Sequence, residues 1–346
     1  MRRLALVAAA LAFLAGPAAA CLVCIEVPEH TLADRVLGAT DVVLARPDPD
    51  QPFTFAPVAT LKGDGAGSPI SQLVDSQTRR HLDADPDASV LFARDADGWT
   101  RLADATPQLR ATVAAILDAA EAWDAEADHA ARFAFFAARH DHEDPTVRAL
   151  ALAEISRSPY AQIRTINPRL GRAALSRVMR DPKMTEWAPI HILFLGLSDD
   201  PADHAFVRRA FDAVSGGSGG HLAAWATALA EVDGPPAIDR LRALYFKDPG
   251  RSPEDMRAVA IALATLAEGG DPALRAGIDA AFRDLAMERP ALAGEAARYL
   301  TWAKDWSQAG RLEALLAAGE VPDPAAEFAI TYYVEAAHEA LGPMLQ

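Results

Sequence analysis

The only two cysteines of the 346-residue chain, Cys21 and Cys24, are three positions apart. A c-type haem attachment site requires a histidine directly after the second cysteine, and residue 25 is Ile, which excludes it. A redox pair of the thioredoxin type lies at a helix start that follows a strand, where the helix lowers the pKa of one thiol. No strand precedes this pair, so the sequence favours a local disulfide formed outside the cytoplasm, with a redox pair as the alternative.

Two sets of side chains have the residue types of a metal site. Cys21 and Cys24 could bind a metal together with His30, since thiolates and imidazoles are common zinc ligands. The segment Arg-His-Asp-His-Glu-Asp at 139–144 offers His140, Asp141 and His142 as imidazole and carboxylate ligands. The alternative for this segment is a charged loop between two helices. We expect no resident cofactor at either set of residues.

Residues 1–20 have the pattern of a secretory signal peptide. Two arginines precede an apolar run, which a proline ends, and Ala-Ala-Ala completes the segment. Cleavage after Ala20 would make Cys21 the first residue of an exported chain, periplasmic or extracellular. Ala18 stands where a lipid-attachment signal prefers leucine, and lipidation of Cys21 is the competing prediction. Only such lipidation would place the protein on a membrane.

Charge and hydropathy exclude several classes of partner. The 48 acidic residues outnumber the 33 basic ones, which gives a net charge of -15. Because phosphate binding requires clustered Lys and Arg, no nucleic-acid partner is expected. After residue 20 no apolar run approaches the ~18 residues of a transmembrane helix. An acidic surface instead favours basic partners.

Residues 21–104 read as a small β-rich module. Apolar runs at 41–45, 53–63, 70–74 and 89–103 are separated by Gly-rich and Asp-Pro loops. Pro57 indicates an edge strand or a bulge. Asp97-Gly98 is a favoured turn pair and predicts a hairpin within the last run.

Residues 105–346 read as helical throughout. Alanine-rich segments with helical periodicity follow one another, and six Asp-Pro pairs separate them, where Asp caps a helix and Pro takes its first position. The pairs begin at Asp144, Asp181, Asp200, Asp248, Asp271 and Asp323. The segments 144–155 and 254–266 share an Arg-x-x-Ala-[Leu/Ile]-Ala pattern. Small residues at helix contacts let backbones approach closely, with Leu or Ile between the layers.

The segment 144–155 resembles the second half of a HEAT-type repeat. Extended over about 125–340, this resemblance implies a stack of helix pairs, an α-solenoid. The expected fold is therefore a two-domain chain in which a small β-rich module precedes an all-α HEAT-like domain. A compact helical bundle is the alternative.

The first module resembles the netrin-like family, which includes tissue inhibitors of metalloproteases. The matching residues are the terminal cysteines, Thr40 to Val43, and Leu61-Lys62-Gly63. The resemblance implies a five-stranded barrel of the OB type. The chain departs from the family in its Cys-x-x-Cys spacing, and it lacks the distant cysteines that pair with the terminal ones. The family's disulfide framework is therefore not carried over.

Four tryptophans of the helical part are candidates for partner binding, since aromatic residues dominate binding hot spots. They are Trp187, Trp225, Trp302 and Trp306. Core packing between repeats is the alternative for each. We expect an exported, non-enzymatic scaffold that binds another protein through its helical surface. A metal-binding or thiol-active protein that uses Cys21 and Cys24 is the alternative, and a hydrolase with a site hidden from sequence is the second alternative.

Overall fold

The computed structural model describes residues 30–65, 69–124, 129–166, 168, 171–180, 184–217 and 220–342. Within them, residues 30–155 and residues 156–342 form two compact units. A β-rich part precedes a helix-rich part, as the sequence predicts. The change from strand to helix falls between Ala105 and Pro107, but the first compact unit continues through three further helices to Ile155.

The first unit is built on a curled, five-stranded antiparallel sheet that forms a half-barrel with the order β3-β2-β1-β4-β5. Its strands are β1 (Asp41–Pro47), β2 (Thr54–Lys62), β3 (Ile70–Leu73), β4 (Ser89–Asp95) and β5 (Gly98–Ala105). Its helices are α1 (Leu32–Gly38), α2 (Ser76–Ala84), α3 (Pro107–Asp124), α4 (Ala130–Ala137) and α5 (Pro145–Ser156).

The core of this unit follows the period-two alternation of its strands. Val43 on β1 and Phe92 on β4 are fully buried, and Phe55 on β2 lies with its ring 5.0 Å from that of Phe92. Leu82 of α2 completes the same cluster. The opposite face of the two central strands is buried as well, at Val42, Leu44 and Leu91.

The structure shows the outcome of two predictions about the strands, the hairpin at Asp97-Gly98 and the position of Pro57. The predicted hairpin is present, with Asp95 paired to Gly98 across a turn in which Gly98 has φ +111°. Pro57 lies on β2, which is an interior strand, next to a register shift between Leu44 and Ala45. Within the described residues β3 pairs only with Thr54 and Phe55 of β2, so β2 is open on one side at Pro57. Pro57 therefore lies both at a local edge of the sheet and beside a bulge, and neither position requires an N–H donor from it.

Asp41 and Gly63, two of the residues that carry the netrin-like resemblance, lie in one polar cluster at the end of β1. The buried Asp41 carboxylate accepts hydrogen bonds from Arg94 Nε at 2.7 Å and from the backbone N–H of Asp64 at 2.8 Å. Arg94 is the largest cause of a lowered Asp41 pKa. Gly63 has φ +74°, and a Cβ there would lie 2.4 Å from Asp41 Oδ1. The Asp-Val-Val and Lys-Gly elements are thus explained by the joint between β1 and β2.

A second polar cluster joins α1, α4 and α5. The Arg132 guanidinium donates to both oxygens of Glu154, each at 2.9 Å, and to Asp34 at 2.6 Å. Thr31, which caps α1, also donates its hydroxyl to Glu154. Burial lowers the pKa of Arg132, but the bonds and charges of Glu154 and Asp34 outweigh it and raise that pKa. The cluster stabilises the three helices only while every member is paired.

The second unit consists of eleven helices in the described residues 156–342. They are α6 (Tyr160–Ile163), α7 (Gly171–Val178), α8 (Ala188–Gly196), α9 (Pro201–Ser215), α10 (Leu222–Asp233), α11 (Pro235–Leu241), α12 (Pro253–Gly269), α13 (Arg275–Glu288), α14 (Ala293–Ala303), α15 (Ala309–Ala317) and α16 (Pro324–Leu341). A π-helical turn, Arg242–Phe246, continues α11, and short 3-10 turns precede α8, α13 and α14.

The helices of this unit pack in alternation. From α8 to α16, each even-numbered helix contacts the next even-numbered one, and α11, α13 and α15 also contact in order. Most neighbours in sequence also pack against each other between these two rows, among them α9 with α10, α13 with α14 and α15 with α16. The second unit therefore has two layers of helices.

Glycine makes the closest contacts within the even-numbered row. A Cβ on Gly196 would lie 2.7 Å from the Cα of Ala228, which joins α8 to α10. A Cβ on Gly294 would lie 2.6 Å from the Cβ of Ala326, which joins α14 to α16. The predicted role of small residues at helix contacts is thus observed at these two places.

Two of the Asp-Pro pairs in this unit, at Asp200 and Asp323, cap an α-helix as predicted, and Asp271 caps the 3-10 turn before α13. The side chains of Asp200, Asp271 and Asp323 each accept a backbone N–H of the first turn. The prediction is wrong for Asp248, because Ser252 caps α12 instead and Asp248 closes a turn onto Gly250. The pair at Asp181 lies outside the described residues. None of the helices in the described part of the chain has both the length and the apolar character needed to cross a membrane.

We expect Arg132→Ala to lower the free energy of unfolding by about 3 kcal/mol, because it leaves the Glu154 carboxylate buried without its main partner. Urea denaturation measures this. The double variant Arg132→Met/Glu154→Met is expected to be more stable than Arg132→Ala. Arg80→Ala is the control, since Arg80 is exposed and donates within its own helix. A loss no larger than that of the control would contradict the prediction.

Gly294→Ala and Gly310→Ala should change stability in opposite directions. Both glycines are helical, where alanine is preferred by roughly 0.5–1 kcal/mol. A Cβ at position 310 meets nothing within 4 Å, whereas one at position 294 meets Ala326. Thermal unfolding is expected to show a higher midpoint for Gly310→Ala and a lower one for Gly294→Ala. Two higher midpoints would contradict the close contact between α14 and α16.

Candidate functional site

A groove of about 490 Å³ lies between α12 and α14, with α13 contributing to its floor. Six apolar or aromatic residues and four charged residues line it. The first group is Ala260, Ile261, Ala264, Phe282, Tyr299 and Trp302. The second group is Arg257, Glu268, Glu295 and Arg298.

The positions of these residues follow helical spacing. Those on α12 follow the pattern i, i+3, i+4, i+7, i+11 from 257 to 268, and those on α14 follow the pattern i, i+3, i+4, i+7 from 295 to 302. Residues at this spacing share one face of a helix. The groove is therefore formed by one continuous face of each helix.

Trp302 is the large side chain that the groove exposes, with 48% of its surface accessible. The Arg275 guanidinium lies over the indole at 4.6 Å, and the Tyr299 ring is 5.6 Å away. Arg275 is in turn bonded to Asp279 at 2.9 Å. The indole is thus supported on the protein side and open on the other.

Tyr299 links Trp302 to the floor of the groove. Its ring stacks on Phe282 at 3.8 Å and 11°, and its hydroxyl donates to Asp279 at 2.6 Å. Burial, followed by the bond and charge of Asp279, raises the Tyr299 pKa well above its usual value. Tyr299 therefore remains a neutral hydrogen-bond donor that fixes the aromatic floor.

The charged residues of the groove are paired unequally. Arg257 Nε lies 2.9 Å from Glu295 Oε1, and Arg298 approaches the same oxygen at 3.8 Å. Within the described residues no cation lies at ion-pair distance from Glu268, and desolvation alone raises its pKa. Arg298 and Glu268 are therefore the charges with most capacity left for a ligand.

The structure separates the four candidate tryptophans. Trp225 is buried against Phe206 at 6.0 Å, and Trp306 is partly buried against Tyr333 at 5.5 Å. Trp187 is partly buried in the turn before α8. Trp302 alone among the four lines the groove, so the structure does not bring the four together on one face.

The candidate metal site at 139–144 is not assembled. His140 Nδ1 lies 2.7 Å from the carbonyl oxygen of Ala137, and His142 Nδ1 accepts the backbone N–H of Asp144 at 3.0 Å. The Asp144 carboxylate caps α5. Within the described ranges, no group of three or more His, Cys, Asp or Glu side chains is placed to hold a metal ion. Asp141 therefore belongs to no such group. Local backbone contacts thus use the Nδ1 atoms of His140 and His142 and the carboxylate of Asp144.

The second candidate metal set cannot be placed in the same way. Cys21 and Cys24 lie outside the described residues, and His30, at the start of the described chain, is exposed. The disulfide, the lipid attachment and the metal site at the cysteines stay predictions.

A second cavity of about 490 Å³ lies in the first unit, beside Thr112, Arg139 and His142. Arg139 covers the Phe135 ring at 3.6 Å and donates to that residue's carbonyl oxygen at 2.6 Å. Burial lowers the pKa of Arg139. The groups of this cavity are bonded to their own helices, and it lacks an exposed aromatic residue.

Sequence reasoning missed Glu268 and Arg298. Their signal is positional, because Glu268 continues the face of α12 that carries Arg257, and Arg298 lies four residues before Trp302 on α14. These positions indicate a common site only once α12 and α14 are known to lie side by side.

Comparison of the chain with protein-family models, with curated proteins and with solved structures finds no match. Its function is therefore inferred from the groove and from the residues that form it.

Proposed function

We propose that the chain is a non-enzymatic binding protein whose helix-rich unit binds a segment of another protein in the groove between α12 and α14. The observation that carries this proposal is the exposed, supported indole of Trp302 in the lining of the groove. Aromatic and arginine side chains dominate the energetics of protein interfaces. A side chain that is already fixed loses little conformational entropy on binding.

We propose a HEAT-like α-solenoid for the helix-rich unit. The alternating contacts of α8 to α16 support it, since stacked helix pairs place every second helix in the same layer. The segments 144–155 and 254–266, which match in sequence, lie on α5 and α12 in separate units. The proposal therefore depends on helix packing more than on that match.

For the first unit we propose a netrin-like module of the OB type. Its curled five-stranded antiparallel sheet supports this, together with the cluster in which Asp41 contacts Arg94 and faces Gly63. The half-barrel and this joint are the features that the proposal uses.

We also propose that the protein acts outside the cytoplasm after cleavage behind Ala20. The arginine, apolar and Ala-Ala-Ala pattern of residues 1–20 supports it. The intact mass of the chain purified from a secretion-competent bacterium is expected to correspond to a start at Cys21, with two hydrogens lost to a disulfide. A mass that includes residues 1–20 would contradict export, and an added diacylglycerol would identify a lipoprotein.

The binding proposal is tested by selecting a phage-displayed random octapeptide library on the purified full chain. Peptides that bind the groove are expected to lose at least about tenfold in affinity for Trp302→Ala, because a hot-spot aromatic residue contributes about 2 kcal/mol or more. Fluorescence anisotropy of the labelled peptides measures this loss.

Phe328→Ala is the matched control, because Phe328 is also an exposed aromatic residue, at 64%, but lies on α16 outside the groove. It should leave the affinities unchanged. Circular dichroism verifies that both variants keep their helices. A library that yields no peptide sensitive to Trp302→Ala would overturn the proposed function.

A further inference from the structure

The two ends of the groove differ in charge. Arg257 and Glu295, which form an ion pair, lie in the early turns of α12 and α14, whereas Glu268 and Trp302 lie in the last turns. The two helices therefore run in the same direction along the groove. At 1.5 Å per residue, Arg257 and Glu268 are separated by roughly 16 Å along α12.

The end near Arg257 is basic. Two guanidinium groups, those of Arg257 and Arg298, share the single carboxylate of Glu295. The Arg298 side chain is 55% exposed and its contact with Glu295 is long, at 3.8 Å. The Arg298 guanidinium can therefore donate to a carboxylate of a ligand and give up only its long contact with Glu295.

The end near Glu268 is acidic and aromatic. No cation lies at ion-pair distance from Glu268 in the part of the chain that the structure describes, and desolvation is the cause that raises its pKa. The open side of Trp302 lines the same end. A carboxylate beside an aromatic ring suits a Lys or Arg side chain, whose stem covers apolar surface while its charge is paired.

The middle of the groove is apolar and shallow. Ala260 and Ala264 contribute only methyl groups on the α12 side, and Tyr299 and Phe282 form the stacked floor. This section can bury one apolar side chain between the two charged ends.

We propose, on the basis of the function proposed above, that the groove binds an extended peptide segment of about five residues with charges of opposite sign at its two ends. A carboxylate of the segment pairs with Arg298, and a Lys or Arg side chain pairs with Glu268. Arg298 lies three residues, or about 4.5 Å, beyond Glu295 on α14, so roughly 12 Å separates it from Glu268 along the groove. An extended chain advances about 3.3 Å per residue, so the four steps of a five-residue segment cover about 13 Å.

Charge complementarity selects this occupant over the others. A segment with only basic residues would meet Arg257 and Arg298 at one end, and one with only acidic residues would meet Glu268 at the other. The net charge of -15 further favours a partner whose segment carries a basic residue.

A charge-reversal cycle tests this inference with the peptides selected on the full chain. Glu268→Lys makes both ends basic and Arg298→Glu makes both ends acidic, and each is expected to weaken binding of the selected peptides roughly five- to tenfold. The double variant restores opposite ends in the reverse order. A segment with one charge of each sign can turn around, so its affinity is expected to return to within about twofold of the unmodified chain.

The matched controls are Glu288→Lys and Arg209→Glu. Glu288 is an exposed carboxylate in the last turn of α13, and Arg209 is exposed on α9; both lie outside the groove. Neither control should change the affinity by more than about twofold at moderate salt.

The outcomes separate this inference from the proposed function. Peptides that depend on Trp302 but carry a single sign of charge, or that do not recover in the double variant, would overturn the inference and leave the proposed function standing. The absence of any peptide that depends on Trp302 would overturn both. If the chain forms a dimer that Trp302→Ala dissociates, the groove binds a second copy of the chain, and the inference of a peptide segment is overturned.

Discussion

The distance between neighbouring even-numbered helices determines where the second unit forms a groove. Gly196 against Ala228 and Gly294 against Ala326 bring backbones together, because glycine has no side chain and alanine has only a methyl group. Between α12 and α14 the facing residues include Arg257 and Glu295, which meet through long charged side chains. The same row of helices is thus closed at two joints and open at a third, and the groove lies at the open one.

The groove is suited to recognition because its own groups already stabilise one another. The Phe282 and Tyr299 rings are stacked, Tyr299 is bonded to Asp279, and Arg275 supports Trp302 from below. A ligand therefore meets a surface that needs little rearrangement, which reduces the entropic cost of binding. In the binding that we propose, the charges of Arg298 and Glu268 favour a segment with opposite charges at its two ends.

Much of the local structure is readable from residue types. The Asp97-Gly98 hairpin, the caps at Asp200 and Asp323, and the change from strand to helix after residue 105 follow from turn and capping chemistry, which acts over a few residues. Asp248 shows the limit of such signals, because a better cap, Ser252, lies four residues further on.

The site was harder to predict because its members are distant in sequence. Trp302 is a candidate from its residue type, but Trp225 and Trp306 have the same type and are covered by other rings. The histidines at 140 and 142 have residue types that are shared by metal sites and charged loops, and their Nδ1 atoms contact their own backbone.

The sequence by itself determined the order of the two parts, the positions of most turns and caps, and the negative charge of the molecule, because these depend on composition and on neighbours along the chain. Only the tertiary structure decided that α12 and α14 face each other, that one tryptophan is exposed between them, and that Arg298 and Glu268 lie at opposite ends of one groove. The physical reason is that helix spacing is set by side chains tens of residues apart, such as Gly294 and Ala326, and their contact exists only after packing.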